Sequence, residues 1–125
     1  MPEAKLDWRS TRLRKHEEYQ RVYQASRRHT SASMTYFYCV RKSGEPPTNQ
    51  PRIGLTTPRA LGGAVVRNRI RRRMREAVRM HVRELPQQVD LVLHPRKQVL
   101  EMDFPRLEQE VSRVFAAVAA NGAKR

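Results

Sequence analysis

Between positions 67 and 75, six of nine residues are arginine: Arg67, Arg69, Arg71, Arg72, Arg73 and Arg75. A guanidinium is planar, forks onto paired phosphate oxygens, stacks on bases and keeps its charge at every cellular pH. Such a run suits neutralisation of crowded phosphates. Most charge runs are solvated helix faces, but lysine and glutamate would serve that purpose as well. Here the run is nearly all arginine, and Glu76 is the one acid between positions 62 and 83. The pattern points to a polyanion as partner.

Residues suited to bond chemistry are sparse. His16, His29, His81 and His94 are scattered, with no pair at metal-ligand spacing. Asp90, Glu101 and Asp103 could be imagined as an acidic cluster for two-metal phosphodiester cleavage. However, Asp90 opens an apolar run of strand length and Asp103 suits a helix N-cap, so structural roles suffice. Cys39 is the single cysteine and reads as a buried thiol in a strand, with no disulfide framework. There is no phosphate-binding Walker loop and no Gly-x-Ser-x-Gly elbow. The sequence therefore predicts no catalytic residue and no metal site on the protein: binding, not unaided cutting.

Helical periodicity positions the arginines. At about 100° per residue, Ile70, Met74, Ala77 and His81 share one face, with Val78 and Leu85 at its margin. Asn68, Arg72, Arg75 and Arg79 share the opposite face. One side can bury while the other holds fixed charge. Gly62 and Gly63 permit a tight turn before this helix, and Pro86 limits its run. His81, on the apolar side, reads as a satisfied core histidine.

The other elements follow in order. Residues 1–10 read as a flexible lead-in, and residues 11–15 as a short basic approach. A helix is expected over residues 16–25, with Glu17 and Glu18 favoured by the dipole in its first turn. Its stripe of Tyr19, Val22 and Tyr23 is either core or, for the two phenols, a stacking surface for bases. A short strand is expected within residues 27–33. Residues 34–40 are rich in strand formers, with Tyr36, Tyr38 and Val40 on one face and Thr35, Phe37 and Cys39 on the other. Both faces are apolar enough to need cover. Residues 42–51 read as a loop, which makes residues 52–57 the second arm of a long hairpin. Residues 89–94 form a further strand. A last helix carries Phe104, Leu107, Val111, Val114, Phe115 and Val118 at helical spacing and ends at Asn121-Gly122. The order αβββαβα predicts a single α/β sandwich with a mixed sheet over residues 11–119, followed by a basic tail at 120–125.

The chain has 125 residues, with 26 Lys+Arg against 12 Asp+Glu, a formal charge of +14 and a pI near 11.3. Nucleic acid is the leading counter-charge, with an anionic membrane surface second. No apolar run approaches a membrane span, and the first ten residues lack a signal-peptide core. Together with the lone cysteine, this predicts a cytoplasmic protein.

Three segments carry a family resemblance: PRIGLTT from Pro51, LGGAVVRNRIRRRMRE from Leu61 and DLVL from Asp90. In order and spacing they resemble the protein subunit of bacterial ribonuclease P, from about Arg12 to Phe115. The signature-like core is Arg67-Asn68-Arg69-x-x-Arg72-x-x-Arg75. The resemblance implies an α/β sandwich with a left-handed βαβ crossover at the arginine helix, against the usual rule. It implies a catalytic RNA that, with Mg2+ bound mainly by that RNA, removes the 5′ leader of precursor tRNA. The protein does no bond chemistry itself. Arg67, Asn68, Arg69, Arg71, Arg72 and Arg75 would contact the catalytic RNA. Tyr19 and Tyr23 would face the leader in a cleft between the first helix and the sheet. Tyr36 or Tyr38 would line that cleft, with Tyr38 favoured by its distance from the next strand. Arg12 and Arg14 complete the expected leader-binding set.

If about six arginines each meet one phosphate, the logarithm of affinity should fall against the logarithm of salt with a slope of roughly −4 to −5. A structural RNA-binding protein of ribosomal type is the alternative, since it shares size and charge. A DNA-groove reader ranks lower, because arginine at nearly every position leaves little variety for reading bases.

Overall fold

The computed structural model describes residues 11–41 and 50–122. The expected lead-in, most of the loop after Arg41 and the last three residues of the tail lie outside the described residues. The elements are α1 (His16–Ala25), β1 (His29–Thr30), β2 (Met34–Val40), β3 (Arg52–Leu55), α2 (Ala64–His81), β4 (Val89–Pro95) and α3 (Phe104–Gly122). This is the αβββαβα order read from the sequence, in a mixed α/β fold. Helix α3 runs to Gly122, so the first residues of the expected tail are helical.

The four strands form one sheet in the order β1-β2-β4-β3. β2 pairs antiparallel with β4 across its whole length, from Met34 opposite Pro95 to Val40 opposite Val89. β3 pairs parallel with β4, from Arg52 opposite Asp90 to Leu55 opposite Leu93. The expected hairpin between β2 and β3 is therefore not formed, because β4 lies between them. The reason is burial. Six of the seven residues of β4 are buried, all but His94, and a strand covered on both faces belongs in the middle of a sheet. Helix α2 is the crossover between the neighbouring parallel strands β3 and β4.

Each sheet face has its own core. Met34, Tyr36, Ile53, Leu91 and Leu93 pack with Ile70, Met74, Ala77 and Val78 of α2 and with Leu107, Val111, Val114, Phe115 and Val118 of α3. On the other face Val92 packs with Leu13 and with Val22 of α1, flanked by Tyr19, Tyr23, Phe37 and Cys39. One helix covers this second face only in part, so its aromatics remain partly exposed.

Local chemistry sets the ends of the helices. At the start of α1, Glu18 Oε1 accepts the backbone N–H groups of Arg14 (2.9 Å) and Lys15 (3.0 Å), the backward reach of a capping box. Before α2, Gly62 has φ +139°, a conformation that side chains rarely adopt.

At the far end of α2, His81 joins two helices. Its Nδ1 meets Glu84, and its Nε2 lies 3.2 Å from Glu108 of α3. Ser112 Oγ donates to Glu84 at 2.7 Å. Burial disfavours charge on His81, but hydrogen bonds and charge from the two carboxylates outweigh it and raise its pKa. His81 is thus an ion-paired link between helices, not the buried core residue read from the sequence. A raised folded pKa means that its stabilisation is complete below the unfolded value of about 6.5 and fades as pH climbs through the folded value. Urea melts of the wild type and His81→Gln should therefore differ most near pH 6 and converge in mildly alkaline buffer. A gap unchanged by pH would show that the imidazolium contributes nothing.

Candidate nucleic-acid interface

Helix α2 separates its two faces as its periodicity requires. Ile70, Met74 and Ala77 are fully buried, whereas Asn68, Arg69, Arg72, Arg75 and Arg79 are exposed and Arg67 and Arg71 are partly exposed. Asn68 Oδ1 accepts from Arg71 Nη1 at 3.0 Å, which braces two polar side chains on the same side. Arg79 pairs with Glu76 at 2.6 Å. Arg73 differs from its neighbours. Its Nε donates to the Val99 carbonyl at 3.1 Å and its Nη2 to the Met102 carbonyl. It fastens α2 to the turn before α3 and does not face outward. Of the residues expected to meet RNA, five arginines and Asn68 are thus at least partly exposed on α2.

A second feature lies between α1 and the sheet. Tyr23 meets Phe37 edge to face, with ring centroids 5.0 Å apart at 84°. The Tyr23 hydroxyl lies 2.9 Å from His94 Nε2, and Phe37 is 5.3 Å from the same imidazole. Burial, aided by the charge of Arg28, pushes the His94 pKa down, so the imidazole is neutral near pH 7 and can accept the phenol proton. Tyr19 sits further along α1, with its hydroxyl 3.5 Å from the Leu13 carbonyl. Burial also raises the Tyr19 pKa, so its phenol stays protonated. The rings of the cleft are therefore uncharged, with the Arg28 and Arg12 charges close by, and suit stacking.

Tyr36 and Tyr38 do not line this cleft. Tyr36 is 7% exposed within the core under α2 and α3, and Tyr38 packs against the same cluster. The alternation read from the sequence holds, but the face turned to α1 carries Phe37. Phe37 and His94 are the cleft residues that the sequence reading missed. Alternation already separated Phe37 from Tyr36. The register that sets His94 opposite Thr35 on the same face appears only once β4 is known to pair with β2.

The two features meet at the β3 edge of the sheet. There the backbone of Leu13 donates to the Ile53 carbonyl at 3.0 Å, and Ile53 donates to the Thr11 carbonyl at 2.6 Å. Arg12 and Arg14 are thereby fixed beside β3. With Tyr19, Leu55, Arg71 and Arg75 they line a cavity of about 300 Å³. The basic helix and the aromatic cleft are joined by a pocket with four arginines on its walls.

Tyr19 reaches this position because residue 54 is glycine. A Cβ there would lie 2.6–2.7 Å from the outer atoms of the Tyr19 ring, well inside contact distance. Gly54→Ala should therefore turn the Tyr19 ring out of the pocket while leaving the fold intact. Aromatic NMR shifts would report the displacement, and an unmoved Tyr19 resonance would refute it.

Beneath the cleft, buried Asp90 pairs with buried Arg41 and accepts Arg52 Nε (3.0 Å) and Nη2 (2.8 Å). Arg52 Nη1 reaches Glu18 of α1 at 2.6 Å. Burial favours protonating Glu18, but backbone N–H groups of Lys15 and Arg14 and the Arg52 charge outweigh it and lower its pKa. Among the described residues, no three His, Cys, Asp or Glu side chains converge as a metal site. Among the same residues no helix is long and apolar enough to cross a membrane.

The ribonuclease P family profile matches residues 8–119. The chain belongs to the ribonuclease P protein family. Its relatives in that family include the ribonuclease P protein component of Brucella melitensis, 36% identical over 113 residues and covering 85% of this chain and 78% of the relative. That of Gluconacetobacter diazotrophicus is 36% identical over 117 residues, covering 93% and 97%. Among solved structures, a mutant Staphylococcus aureus RNase P protein superposes with a TM-score of 0.71 at 22% identity, covering 85% of this chain and 86% of that one. The Thermotoga maritima RNase P protein gives 0.70 at 21% identity, covering 83% and 94%. At these identities the structural likeness establishes a shared fold.

Proposed function

We propose that this chain is the protein partner of a catalytic RNA and assists that RNA in removing the 5′ leader from precursor tRNA in the cytoplasm. The observation that carries this reading is the outward arginine face of α2, held by a buried inner face, in a member of the ribonuclease P protein family. Arg67, Asn68, Arg69, Arg71, Arg72 and Arg75 dock on the catalytic RNA. Tyr19, Tyr23 and Phe37 hold the single-stranded leader in the aromatic cleft, and Arg12 and Arg14 neutralise its phosphates. Magnesium belongs with the RNA, which carries out the hydrolysis. The one buried carboxylate of the sheet, Asp90, is already occupied by Arg41 and Arg52.

Leader binding would discriminate substrate from product. Mature tRNA has no leader and makes none of the stacking contacts. Stacking contributes about 1–3 kcal/mol per base, so two occupied rings give about a tenfold or larger preference for precursor. Reconstitution tests the reading directly: protein, catalytic RNA and precursor tRNA at low magnesium, with each component omitted in turn. Correct trimming of the 5′ end only with all three is the expected result. Trimming that is indifferent to the protein, or co-purification with ribosomal RNA alone, would defeat it.

The two surfaces also separate by mutation. Arg72→Ala should weaken assembly with the catalytic RNA whatever the substrate. Tyr23→Ala should weaken precursor binding about tenfold and leave mature tRNA affinity unchanged. Equal effects of both variants on precursor and mature tRNA would rule out separate surfaces.

A further inference from the structure

A second group of aromatic rings lies at the outer corner of the sheet, away from the cleft under α1. His29 of β1 stacks on Tyr36 with centroids 5.2 Å apart at 17° and lies 5.0 Å from Tyr38 at 31°. The two tyrosines are 6.5 Å apart at 23°. Tyr36 is sealed in the core, but His29 and Tyr38 remain partly exposed. A cavity of about 450 Å³ opens there, lined by Ala25, Ser26, Arg27, His29, Tyr38 and Asn121. That volume falls in the range of sites that take small organic groups, about 300–1,000 Å³.

The walls of the cavity are chemically mixed in an informative way. His29 and Tyr38 supply flat π surfaces. Arg27 supplies an exposed positive charge close enough to depress the His29 pKa, alongside the larger effect of burial. Asn121, in the last turn of α3, supplies an amide with both donor and acceptor, and the carbonyl-rich end of that helix favours a hydrogen-bond donor such as a base amino group. The corner is also held in shape. Ser26 Oγ donates to the Arg27 carbonyl at 2.8 Å and accepts the Tyr38 backbone N–H at 3.1 Å. Segment 26–27 is therefore tied to β2 and does not sway over the cavity.

We infer that this corner is a second nucleotide site, which takes one unpaired purine of single-stranded RNA on the His29 and Tyr38 rings with its phosphate on Arg27. Flat rings, an adjacent guanidinium and a polar group for the base edge are the combination by which single-stranded nucleic acid is held. Tyr36 and Tyr38 thus serve a different surface from the cleft expected for them. The site does not depend on leader binding by α1, and its failure would leave reconstituted trimming unaffected.

The test is an NMR titration of the full chain with adenosine 5′-monophosphate and with a six-nucleotide oligoadenylate. Shifts at Ser26, His29, Tyr38 and Asn121 are expected to saturate together. They should persist in Tyr23→Ala and weaken about tenfold in Arg27→Ala or His29→Ala. Arg27 is exposed, so its removal leaves the core untouched and keeps the test valid if His29→Ala fails to fold. Shifts confined to the α1 cleft and the basic helix, or unchanged in Arg27→Ala, would overturn the inference. Ultraviolet crosslinking from His29 and Tyr38 in the complex with catalytic RNA and precursor tRNA would then show which RNA supplies the base. Crosslinks to neither RNA would also overturn it.

Discussion

Raising salt from about 50 to about 200 mM should weaken RNA binding by this chain about 130- to 500-fold. The magnitude follows from counting guanidiniums. Within residues 67–75, Arg67, Arg69, Arg71, Arg72 and Arg75 are at least partly exposed, while Arg79, further along α2, is paired with Glu76. The sixth arginine of that run, Arg73, is half-buried and bonded to the carbonyls of Val99 and Met102. Each phosphate contact releases a counterion and adds about 0.7 to 0.9 to the logarithmic slope, so five contacts give roughly −3.5 to −4.5. The slope of roughly −4 to −5 expected from sequence assumed about six contacts. Filter binding across a salt series measures it. Arg72→Ala should make the slope shallower by nearly one. Arg73→Ala should leave the slope alone and lower the melting temperature instead. A wild-type slope near −1 would remove the case for docking on many phosphates.

Asp90→Asn should destabilise the fold by about 3–5 kcal/mol, the usual penalty for leaving a buried charge without its partner. Asparagine has nearly the shape of aspartate, so the loss would be electrostatic. Arg41 would stay in place, held by the carbonyls of Gln50 (2.6 Å) and Gln87 (2.9 Å), but would lose the Asp90 carboxylate. Arg52 would keep only Glu18. On the scale of a domain this size, the melting temperature should fall by on the order of 10–20 °C. Because Arg52 connects Asp90 to Glu18 of α1, the cleft should loosen before the whole molecule melts. Hydrogen exchange would show α1 amides losing protection first. A change of under about 1 kcal/mol, within the range of exposed ion pairs, would mean that water reaches the network.

The sequence disclosed the elements better than their arrangement. The bounds of α1 and β2 and the two faces of α2 follow from local periodicity, and local periodicity is what a sequence displays. Burial of β4 on both faces was also visible in VDLVLHP, but the hairpin expectation had already placed β3 beside β2. Once β4 is recognised as central, the sheet order follows. The cleft was half legible. Tyr19 and Tyr23 share a helix face by spacing alone. Strand alternation says only that Phe37 and Tyr38 point opposite ways, and it does not say which way α1 lies. Arg73 shows the same limit. It is indistinguishable from its neighbours in the sequence, and the carbonyls that hold it lie 26 and 29 positions away.

The short pairing between residues 11–13 and β3 does more than aim two arginines. It satisfies both outward backbone groups of Ile53, which would otherwise form an open seam along the sheet. At the opposite margin β1 is only two residues long. The β3 border therefore offers little for a neighbouring copy to zip onto, whereas β1 covers only Thr35 and Tyr36 of β2 and leaves that margin the more open of the two.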